Sequence, residues 1–421
     1  MPDLGQFDLV VVGGGVNGAG IARDAAGRGL SVLLCERDDL AQGASSRSSK
    51  LVHGGLRYLE YREFRLVREA LVEREILLRA APHIIWPMRF VLPHSPEQRP
   101  AWIVRAGLFL YDHLGGRKIL PPTRSLDLSK APEGEPIRRK FRRAFEYSDC
   151  WVDDARLVVL NALGVRERGG LVLTRTLLKS ARREGMAWRF ELRHAKDGQS
   201  LSATAKALVN AAGPWVEEVL RRSGRNVEDR VRLVKGSHIV TRKFWTGEHA
   251  YLLQHDDKRV IFVVSPYEGD LALIGTTDIP FEGRAEDVRI EPEEVAYLLS
   301  AVERYFERAP VAGDVLHSFS GVRPLYDDKA VNPSAVTRDY VFDIEAPPGA
   351  APMLSIFGGK ITTYRKLAEH ALEKLSPFLP RMAGPWTQKR RCRAATFQTP
   401  IFRGSCRKRA AGAPGCPRRS P

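Results

Sequence analysis

Residues 13–18 read Gly-Gly-Gly-Val-Asn-Gly, with glycine at the first, third and sixth positions of the motif. In such a motif Gly13 permits a tight turn, Gly15 lets the backbone approach a pyrophosphate, and Gly18 allows a helix to pack closely on a strand. Glu36 follows Gly18 by 18 residues, where a carboxylate can accept hydrogen bonds from both hydroxyls of a ribose. The pattern predicts a bound dinucleotide and disfavours NADP, and it leaves FAD and NAD open.

Two later turns carry residues that suit a flavin. Residues 210–215 read Asn-Ala-Ala-Gly-Pro-Trp, and residues 358–363 read Gly-Gly-Lys-Ile-Thr-Thr. The second turn places Lys360 and backbone N–H groups at the start of a helix, a positive end suited to the negative charge on a reduced flavin. The alternative is an ordinary turn with a threonine N-cap. Because the glycine motif is near the N-terminus and these turns follow much later, a flavin wrapped by the whole chain is favoured.

Apolar patterning predicts the elements that would position these residues. The run Phe7–Val12, a helix over 16–28 and the run Ser31–Cys35 form a βαβ unit around the glycine motif. Alternating runs between 231 and 275 predict an antiparallel sheet. Further helices are predicted at 62–80, 154–168 and 362–375, and further strands at 171–174, 207–211 and 353–357. The predicted fold class is α/β, with a Rossmann-like domain and an inserted antiparallel-sheet domain.

Eight stretches of the chain form a recognisable set. They are VVVGGGVNGAGIARDAAGRGLSV, SSRSSKLVHGGLRYLE, EYSDCWVDDARLV, NAAGPWV, KGSHIV, IGTTD, SGVRPL and FGGKITTYRKLAEHALEKL. In these stretches the chain resembles the FAD-dependent, respiratory glycerol-3-phosphate dehydrogenases of the bacterial aerobic type, from about residue 7 to Thr387. The resemblance implies a fold like that of the D-amino-acid and glycine oxidases, with FAD bound non-covalently.

The resemblance also implies an activity. It is the oxidation of sn-glycerol 3-phosphate to dihydroxyacetone phosphate, with electrons passed to ubiquinone or menaquinone in the membrane. The implied location is cytoplasmic, peripheral on the inner face of the cell membrane, and homodimerisation is left open. Competing activities are a glycerol-3-phosphate oxidase that uses O₂ and another FAD-dependent amine or hydroxy-acid oxidoreductase of the same fold.

The motifs and the resemblance together imply roles for individual residues. The cofactor-binding residues are Gly13, Gly15, Asn17, Gly18, Glu36, Ser45, Ser46, Ser49, Lys50, His53, Gly54, Gly213, Gly358, Gly359, Lys360 and Thr362. The substrate-binding residues are Arg57, Tyr58, Thr277, Asp278 and Arg323, and the catalytic residues are His238, Arg323 and Lys360.

The chemistry of these side chains suits a phosphorylated alcohol. A phosphomonoester dianion needs fixed cations, and Arg57 and Arg323 offer planar forks for bidentate hydrogen bonds. Oxidation of a secondary alcohol needs a base while a hydride passes to flavin N5, and the imidazole of His238 suits that role. Arg323 and Lys360 would stabilise the developing negative charge. The alternative for either arginine is a solvated surface side chain. The alternative for His238 is a hydrogen-bonded polar residue without a catalytic role.

The chain is expected to divide into two domains. The FAD-binding domain would take residues 1–80, 150–234 and 320–380, and the substrate domain would take 81–149 and 235–319.

Residues 388–421 differ in composition from the rest of the chain. They hold ten Lys or Arg and no Asp or Glu, so they carry ten of the net +16 charges and leave +6 for residues 1–387. They read like translation in a wrong reading frame, in place of the helical C-terminal domain of the resembled family, and are predicted to be disordered. The alternative is a genuine basic arm of a non-enzymatic binding protein. Because most of the net positive charge lies in this tail, no nucleic-acid partner is predicted.

Three acidic residues, Asp149, Asp153 and Asp154, lie close together in sequence. No His or Cys stands at ligand spacing from them, so helix caps and surface ion pairs are predicted and no metal site. Three of the five cysteines lie after residue 387, which makes a disulfide framework improbable.

The segment 101–114 is apolar and aromatic, which suits either a core helix or a helix on a membrane surface. No run of about 18 apolar residues occurs, so no transmembrane span is predicted. Pro82, Pro87 and Pro93 predict that the chain between them forms only short extended pieces.

Overall fold

The structure is a computed structural model that describes residues 1–116, 118–225, 231–265, 270–326 and 339–392. Its helices are α1 (Val16–Gly27), α2 (Phe64–Ala80), α3 (Ala101–Leu114), α4 (Asp154–Arg166), α5 (Val216–Arg222), α6 (Pro292–Glu303) and α7 (Tyr364–Leu375). Its strands are β1 (Asp3–Val12), β2 (Val32–Cys35), β3 (Leu51–Val52), β4 (Ile85–His94), β5 (Arg124–Asp127), β6 (Arg143–Val152), β7 (Leu171–Leu173), β8 (Thr176–Glu184), β9 (Ala187–His194), β10 (Ser200–Asn210), β11 (Val231–Arg242), β12 (Ala250–Gln254), β13 (Val260–Val264), β14 (Leu271–Gly275), β15 (Ile279–Pro280), β16 (His317–Tyr326), β17 (Val341–Glu345) and β18 (Met353–Phe357).

The first sheet is built around β1. Its strands run in the order β7-β2-β1-β10-β18-β17, in which only β17 is antiparallel to its neighbour, and the hairpin β8–β9 extends β10. Leu9 and Val11 pack with residues of α1, α4 and α7, whereas Val10 and Val12 pack with residues of β8, β9 and α5. Because both faces of β1 are buried, its sequence is continuously apolar. The predicted βαβ unit is therefore present as β1, α1 and β2.

The second sheet is mostly antiparallel. It runs β15-β11-β14-β13-β12-β4-β6-β3, with β16 paired to β11 and β5 paired to β6. Leu298 and Val302 of α6 pack on Ile239 and Ile274 at one face of this sheet. The antiparallel sheet predicted between 231 and 275 corresponds to β11 through β14, so the predicted fold class is confirmed.

The strands do not follow the predicted domain boundaries at every point. Residues 320–326 were predicted to belong to the FAD-binding domain, yet they lie in β16 and pair with β11 of the second sheet. Leu51–Val52, which forms β3, also belongs to the second sheet, through its pairing with β6. The division of the chain into two domains remains a prediction.

The interpretation of Pro87 and Pro93 as strand breakers is wrong. Both residues lie inside β4, a ten-residue strand that pairs with β6 along its whole length. On its other side β4 contacts β12 only at Phe90 and Val91. Proline lacks the N–H that a second neighbour would need, and here the prolines stand where β4 has one neighbour.

The last described residues pack against the first part of the chain. Trp386 donates from Nε1 to the carbonyl oxygen of Asp24 at 3.0 Å, and the N–H of Cys392 donates to the carbonyl oxygen of Ala80 at 2.8 Å. Cys392 is buried. The predicted disorder therefore does not hold for residues 388–392, because these contacts hold them on the fold, and residues 393–421 lie outside the described part of the chain.

Candidate active site

The turn between β1 and α1 requires glycine at two of its positions. Gly13 has φ +112°, and a Cβ there would lie 2.4 Å from the carbonyl oxygen of Ala211. A Cβ on Gly18 would lie 1.9 Å from the carbonyl oxygen of Gly13. The turn and the helix therefore approach each other more closely than any side chain would allow, as the motif predicted.

The Glu36 carboxylate accepts a hydrogen bond from this turn. Its Oε2 accepts from the N–H of Gly14 at 2.6 Å, and its Oε1 accepts from the N–H of Asp38 at 2.8 Å. Burial raises the pKa of the Glu36 carboxyl, and the two N–H groups oppose that rise. Each oxygen keeps a second lone pair, so the carboxylate can still accept from ribose hydroxyls.

A cavity of about 610 Å³ extends from this turn into the second sheet. Many predicted site residues line it, although they come from distant parts of the chain. They are Gly13, Gly15, Asn17, Glu36, Ser45, Ser49, His53, Arg57, Tyr58, Gly213, His238, Asp278, Arg323, Gly358, Gly359, Lys360 and Thr362. The tertiary structure thus brings the dinucleotide motif and the predicted substrate residues to one space.

Five predicted residues lie behind the cavity wall instead. Gly18 is in contact with Gly13, and Thr277 is described below. Ser46 and Lys50 are not among the lining residues, and Lys50 Nζ lies 2.7 Å from Asp154 Oδ1 and 3.4 Å from the carbonyl oxygen of Ser46. The N–H of Gly54 donates to Tyr111 Oη at 2.8 Å. These residues support the wall rather than line it.

His238 lies at the inner end of the cavity on β11. It is 2% exposed, its Nε2 is 2.9 Å from Ser49 Oγ, and its ring stacks on Phe319. Its Nδ1 has no hydrogen-bond partner among the described residues. Burial, together with the charges of Arg323 and Lys50, lowers the pKa of His238 to about 3. The imidazole is therefore neutral at pH 7 and able to accept a proton.

Arg323 on β16 is held in a fixed orientation. Its Nη1 lies 3.1 Å from Asp278 Oδ1, and its Nη2 donates to the carbonyl oxygen of Thr277 at 3.1 Å. Asp278 thus contacts the guanidinium, and the side chain of Arg323 still lines the cavity. A guanidinium held in this way is a preorganised site for an anion.

Thr277 is not among the residues that line the cavity, and its role as a substrate-binding residue stays a prediction. The side chain is 1% exposed, and its Oγ1 donates to Glu294 Oε1 and accepts from the N–H of Ser237. Thr276 and Asp278 do line the cavity. The side chain of Thr277 therefore points to Glu294, while its two neighbours line the cavity.

Lys360 and Tyr58 meet on the opposite side of the cavity. The ammonium of Lys360 lies 3.9 Å from the centroid of the Tyr58 ring. Arg57 donates to Tyr61 Oη at 3.3 Å. Thr362 Oγ1 accepts from the N–H of His53 at 3.1 Å, which ties the turn after β18 to the loop after β3.

The residues of the cavity fit FAD. Asn17 Nδ2 donates to the carbonyl oxygen of Gly358 at 3.1 Å, which joins the two glycine turns. Its Oδ1 is buried and lacks a hydrogen-bond partner within the described residues, so it is available to a ligand. The turn at residues 13–16 would hold the pyrophosphate, Glu36 the ribose, and Lys360 the flavin ring.

Several cavity residues were missed by the sequence analysis. Arg259 lines the cavity and donates from Nη1 to the carbonyl oxygen of Asp278 at 3.3 Å. Arg37 and Trp215 line its other end, with the guanidinium 4.0 Å from the indole centroid. No residue type or spacing marks these positions, although Arg37 follows Glu36 directly and Trp215 closes the NAAGPW stretch.

Asp149 in β6 and Asp153 and Asp154 at the start of α4 were predicted to be helix caps or members of surface ion pairs. Asp153 caps α4 by accepting from the N–H of Arg156 at 3.1 Å, as predicted. Asp149 and Asp154 are buried rather than on the surface, and they pair with Arg74 at 2.6 Å and Lys50 at 2.7 Å. The cations allow these carboxylates to be buried. Within the described residues, no group of three or more His, Cys, Asp or Glu could hold a metal ion.

Comparison with known proteins agrees with this site. A family model described as FAD dependent oxidoreductase matches residues 8–365. The chain belongs to the FAD-dependent oxidoreductase family. Its cofactor is accordingly FAD, as predicted, and the enzyme is an FAD-dependent oxidoreductase.

Two relatives within this oxidoreductase family cover most of the chain. The D-erythritol 1-phosphate dehydrogenase of Brucella abortus is 65% identical over 381 residues, which are 90% of this chain and 76% of the relative. The glycerol-3-phosphate dehydrogenase of Pseudomonas aeruginosa is 56% identical over 384 residues, which are 91% of this chain and 74% of the relative. The predicted resemblance to glycerol-3-phosphate dehydrogenases is confirmed.

Solved structures of the FAD-dependent oxidoreductase fold are also similar. The glycerol-3-phosphate dehydrogenase of Bacillus halodurans complexed with FAD has a TM-score of 0.71 at 28% identity, covering 92% of this chain and 68% of that one. The glycine oxidase of Geobacillus kaustophilus has a TM-score of 0.62 at 20% identity, covering 90% of this chain and 96% of that one. At 20% identity, the similarity to the glycine oxidase shows only that the two proteins share a fold.

Proposed function

We propose that this oxidoreductase oxidises a polyol monophosphate, with sn-glycerol 3-phosphate as substrate and dihydroxyacetone phosphate as product. The observation that carries the proposal is the placement of neutral, buried His238 and the oriented guanidinium of Arg323 in one cavity with the dinucleotide turn. A base and a fixed anion site in one cavity suit an alcohol that bears a phosphate.

Each side chain has a role in this proposal. Arg323, oriented by Asp278, and Arg57 bind the phosphate, while Tyr58 and Lys360 form the side of the pocket towards the flavin. His238 accepts the proton of the substrate hydroxyl at Nε2 or Nδ1. FAD, when bound, supplies the hydride acceptor at N5.

The low pKa of His238 is compatible with a base once substrate is bound. Part of the lowering comes from the cations of Arg323 and Lys50. A phosphate dianion beside Arg323 offsets that positive charge and favours the protonated imidazole. Substrate binding therefore raises the proton affinity of His238 where the proton must be accepted.

D-erythritol 1-phosphate is the second candidate substrate. The observation that favours it is the 65% identity to the Brucella enzyme, against 56% to the Pseudomonas glycerol-3-phosphate dehydrogenase. The two polyol phosphates share the phosphate and a secondary alcohol, so the same base and guanidinium serve both.

The electron acceptor in the proposal is ubiquinone or menaquinone, and α3 is the proposed membrane contact. Trp102 and Phe109 of α3 are 73% and 58% exposed, and Arg105 between them is exposed. Ile103 and Leu108 of the same helix line the cavity. An apolar face with a basic residue suits the anionic inner face of a cell membrane. Within the described residues, no helix has the length and apolar character needed to cross a bilayer.

Anaerobic titration of the FAD-bound protein tests the proposed substrate. Addition of sn-glycerol 3-phosphate is expected to bleach the flavin band near about 450 nm, which is a property of the cofactor. D-erythritol 1-phosphate is added in a parallel experiment, and the compound that bleaches the flavin faster at equal low concentration is the preferred substrate. A flavin band that neither compound bleaches would overturn the proposal. Peroxide release under air in place of quinone reduction would favour an oxidase.

A further inference from the structure

Glu294, in the first turn of α6, lies directly behind the second sheet. It is 4% exposed, and its Oε1 accepts from Ser237 Oγ and Thr277 Oγ1, each at 2.8 Å. Its Oε2 accepts from Lys235 Nζ at 2.7 Å and from the N–H of Glu291 at 3.0 Å. The carboxylate therefore has four donors, which come from three separate segments of the chain.

These donors are the immediate neighbours of cavity residues. On β11, Gly236 and His238 line the cavity, while Lys235 and Ser237 point to Glu294 on the opposite face. This alternation is the geometry of an extended strand.

Two further segments that carry cavity residues are connected to Glu294, one directly and one through Ser237. After β14, Asp278 lines the cavity and Thr277 contacts Glu294. Ser237 Oγ also lies 2.7 Å from Ser320 Oγ, which extends the network to β16, the strand that carries Arg323. One buried carboxylate thus joins the three segments that carry His238, Asp278 and Arg323.

We infer that Glu294 is a positioning residue for the oxidation, which fixes the placement of His238 relative to the Asp278–Arg323 pair. The inference rests on the proposed function. Hydroxyl groups turn freely about their C–O bonds, so the serine and threonine contacts gain a defined direction only from a fixed acceptor. The apolar cluster of α6 on the same face already supplies packing, and a buried ion pair is a weak source of net stability compared with apolar residues.

The variant Glu294→Gln keeps the shape of the side chain and removes its charge. We expect FAD content to stay unchanged, because the dinucleotide motif lies on the first sheet. Flavin reduction at saturating substrate should slow by about 10- to 100-fold, since a displacement of about 1 Å has effects of this size. The matched control is Glu293→Gln, which removes the same charge from an exposed position of the same helical turn and should leave the rate unchanged.

The pH dependence of the reduction rate distinguishes a positioning role of Glu294 from a purely stabilising one. Burial, and after it the charge of Arg323, lowers the proton affinity of His238, so a displaced guanidinium changes that affinity. The base is then protonated at a different pH, and the acid limb of the rate profile of Glu294→Gln should shift from its wild-type position. A merely destabilised protein would lose active molecules without moving that limb.

The double variant Lys235→Met/Glu294→Leu covers the case in which Glu294→Gln fails to fold. Apolar replacement of a buried ion pair often preserves stability, so FAD binding and melting temperature should approach those of the wild type. Flavin reduction should remain slow. A folded, FAD-bound double variant that is reduced at the wild-type rate would overturn the inference, while the proposed function would stand. A wild type that binds FAD and is reduced by neither polyol phosphate would overturn both.

Discussion

Ser49 Oγ lies 2.9 Å from Nε2 of His238, although 189 residues separate the two in sequence. The serine belongs to the loop between β2 and β3, and the histidine belongs to β11 of the second sheet. This hydrogen bond connects the loop proposed to face the flavin with the residue proposed as base. The orientation of the imidazole therefore depends on a contact between distant parts of the chain.

We expect His238→Asn to slow flavin reduction at saturating sn-glycerol 3-phosphate by about 10²- to 10⁴-fold, because an amide cannot accept the hydroxyl proton. Anaerobic stopped-flow absorbance measures the rate. Ser49→Ala is the matched control, since it removes the hydrogen bond and keeps the imidazole. Its rate of flavin reduction should fall less than that of His238→Asn. An unchanged rate in His238→Asn would show that another group is the base.

The buried, neutral state of His238 also predicts a pH dependence of stability. The folded pKa of about 3 is below the value of about 6.5 in an unfolded chain, so between these pH values the unfolded chain binds a proton that the folded chain does not. Stability contributed by this group is lost as pH falls, by about 1.4 kcal/mol per pH unit below 6.5. In urea unfolding, the free energy should fall between pH 7 and pH 5 by about 2 kcal/mol more in the wild type than in His238→Asn. Equal decreases would mean that the pKa of His238 is not lowered in the folded protein.

The guanidinium of Arg323 should be irreplaceable by lysine. Arg323→Lys keeps the charge but loses the planar pair of donors that binds a phosphate and contacts Asp278. We expect KM for the polyol phosphate to rise about tenfold or more, with FAD content unchanged. Arg308→Lys at an exposed position is the control. Steady-state kinetics with a quinone analogue measures KM for both variants. An unchanged KM in Arg323→Lys would show that the phosphate binds elsewhere.

Glu286 is expected to slow the release of FAD. Its Oε1 accepts from Arg37 Nη2 at 2.9 Å and from Trp215 Nε1 at 2.7 Å, and both partners line the end of the cavity near Glu36. Because a partly exposed ion pair contributes up to about 1 kcal/mol, Glu286→Ala should raise the FAD dissociation rate about two- to fivefold. The rise of free flavin fluorescence after dilution measures this rate. Glu282→Ala, an exposed carboxylate on the same loop, should leave it unchanged, and equal rates in both variants would refute the role of Glu286.

The outer face of α3 is expected to determine membrane binding. Trp102→Ser/Phe109→Ser should reduce co-sedimentation with vesicles that contain anionic lipid severalfold, while flavin reduction by substrate stays unchanged. Val311→Ser removes an apolar side chain that is 65% exposed elsewhere on the surface and serves as the control. Equal co-sedimentation of the wild type and the double variant would exclude α3 as the contact.

Local features of this protein can be predicted from its amino-acid sequence alone. The spacing of Gly13, Gly18 and Glu36 identified the dinucleotide turn, because turn geometry and ribose contact depend on residues close together in the chain. Apolar periodicity located β1, α1, α4 and β18, since strand and helix periods are local properties. The quoted stretches also identified the family, as the match over residues 8–365 confirms.

The side chains that face the cavity could not be predicted from local sequence patterns, because their orientation depends on the fold. Thr277 lies within the motif that suggested it, yet its side chain points to Glu294 and not into the cavity. The contact of Asn17 with Gly358 spans 341 residues, and no local pattern specifies it. Which face of a strand is buried, and against which partner, depends on the packing of distant elements. A single sequence therefore indicates which residue types are present, while the fold determines which of them meet.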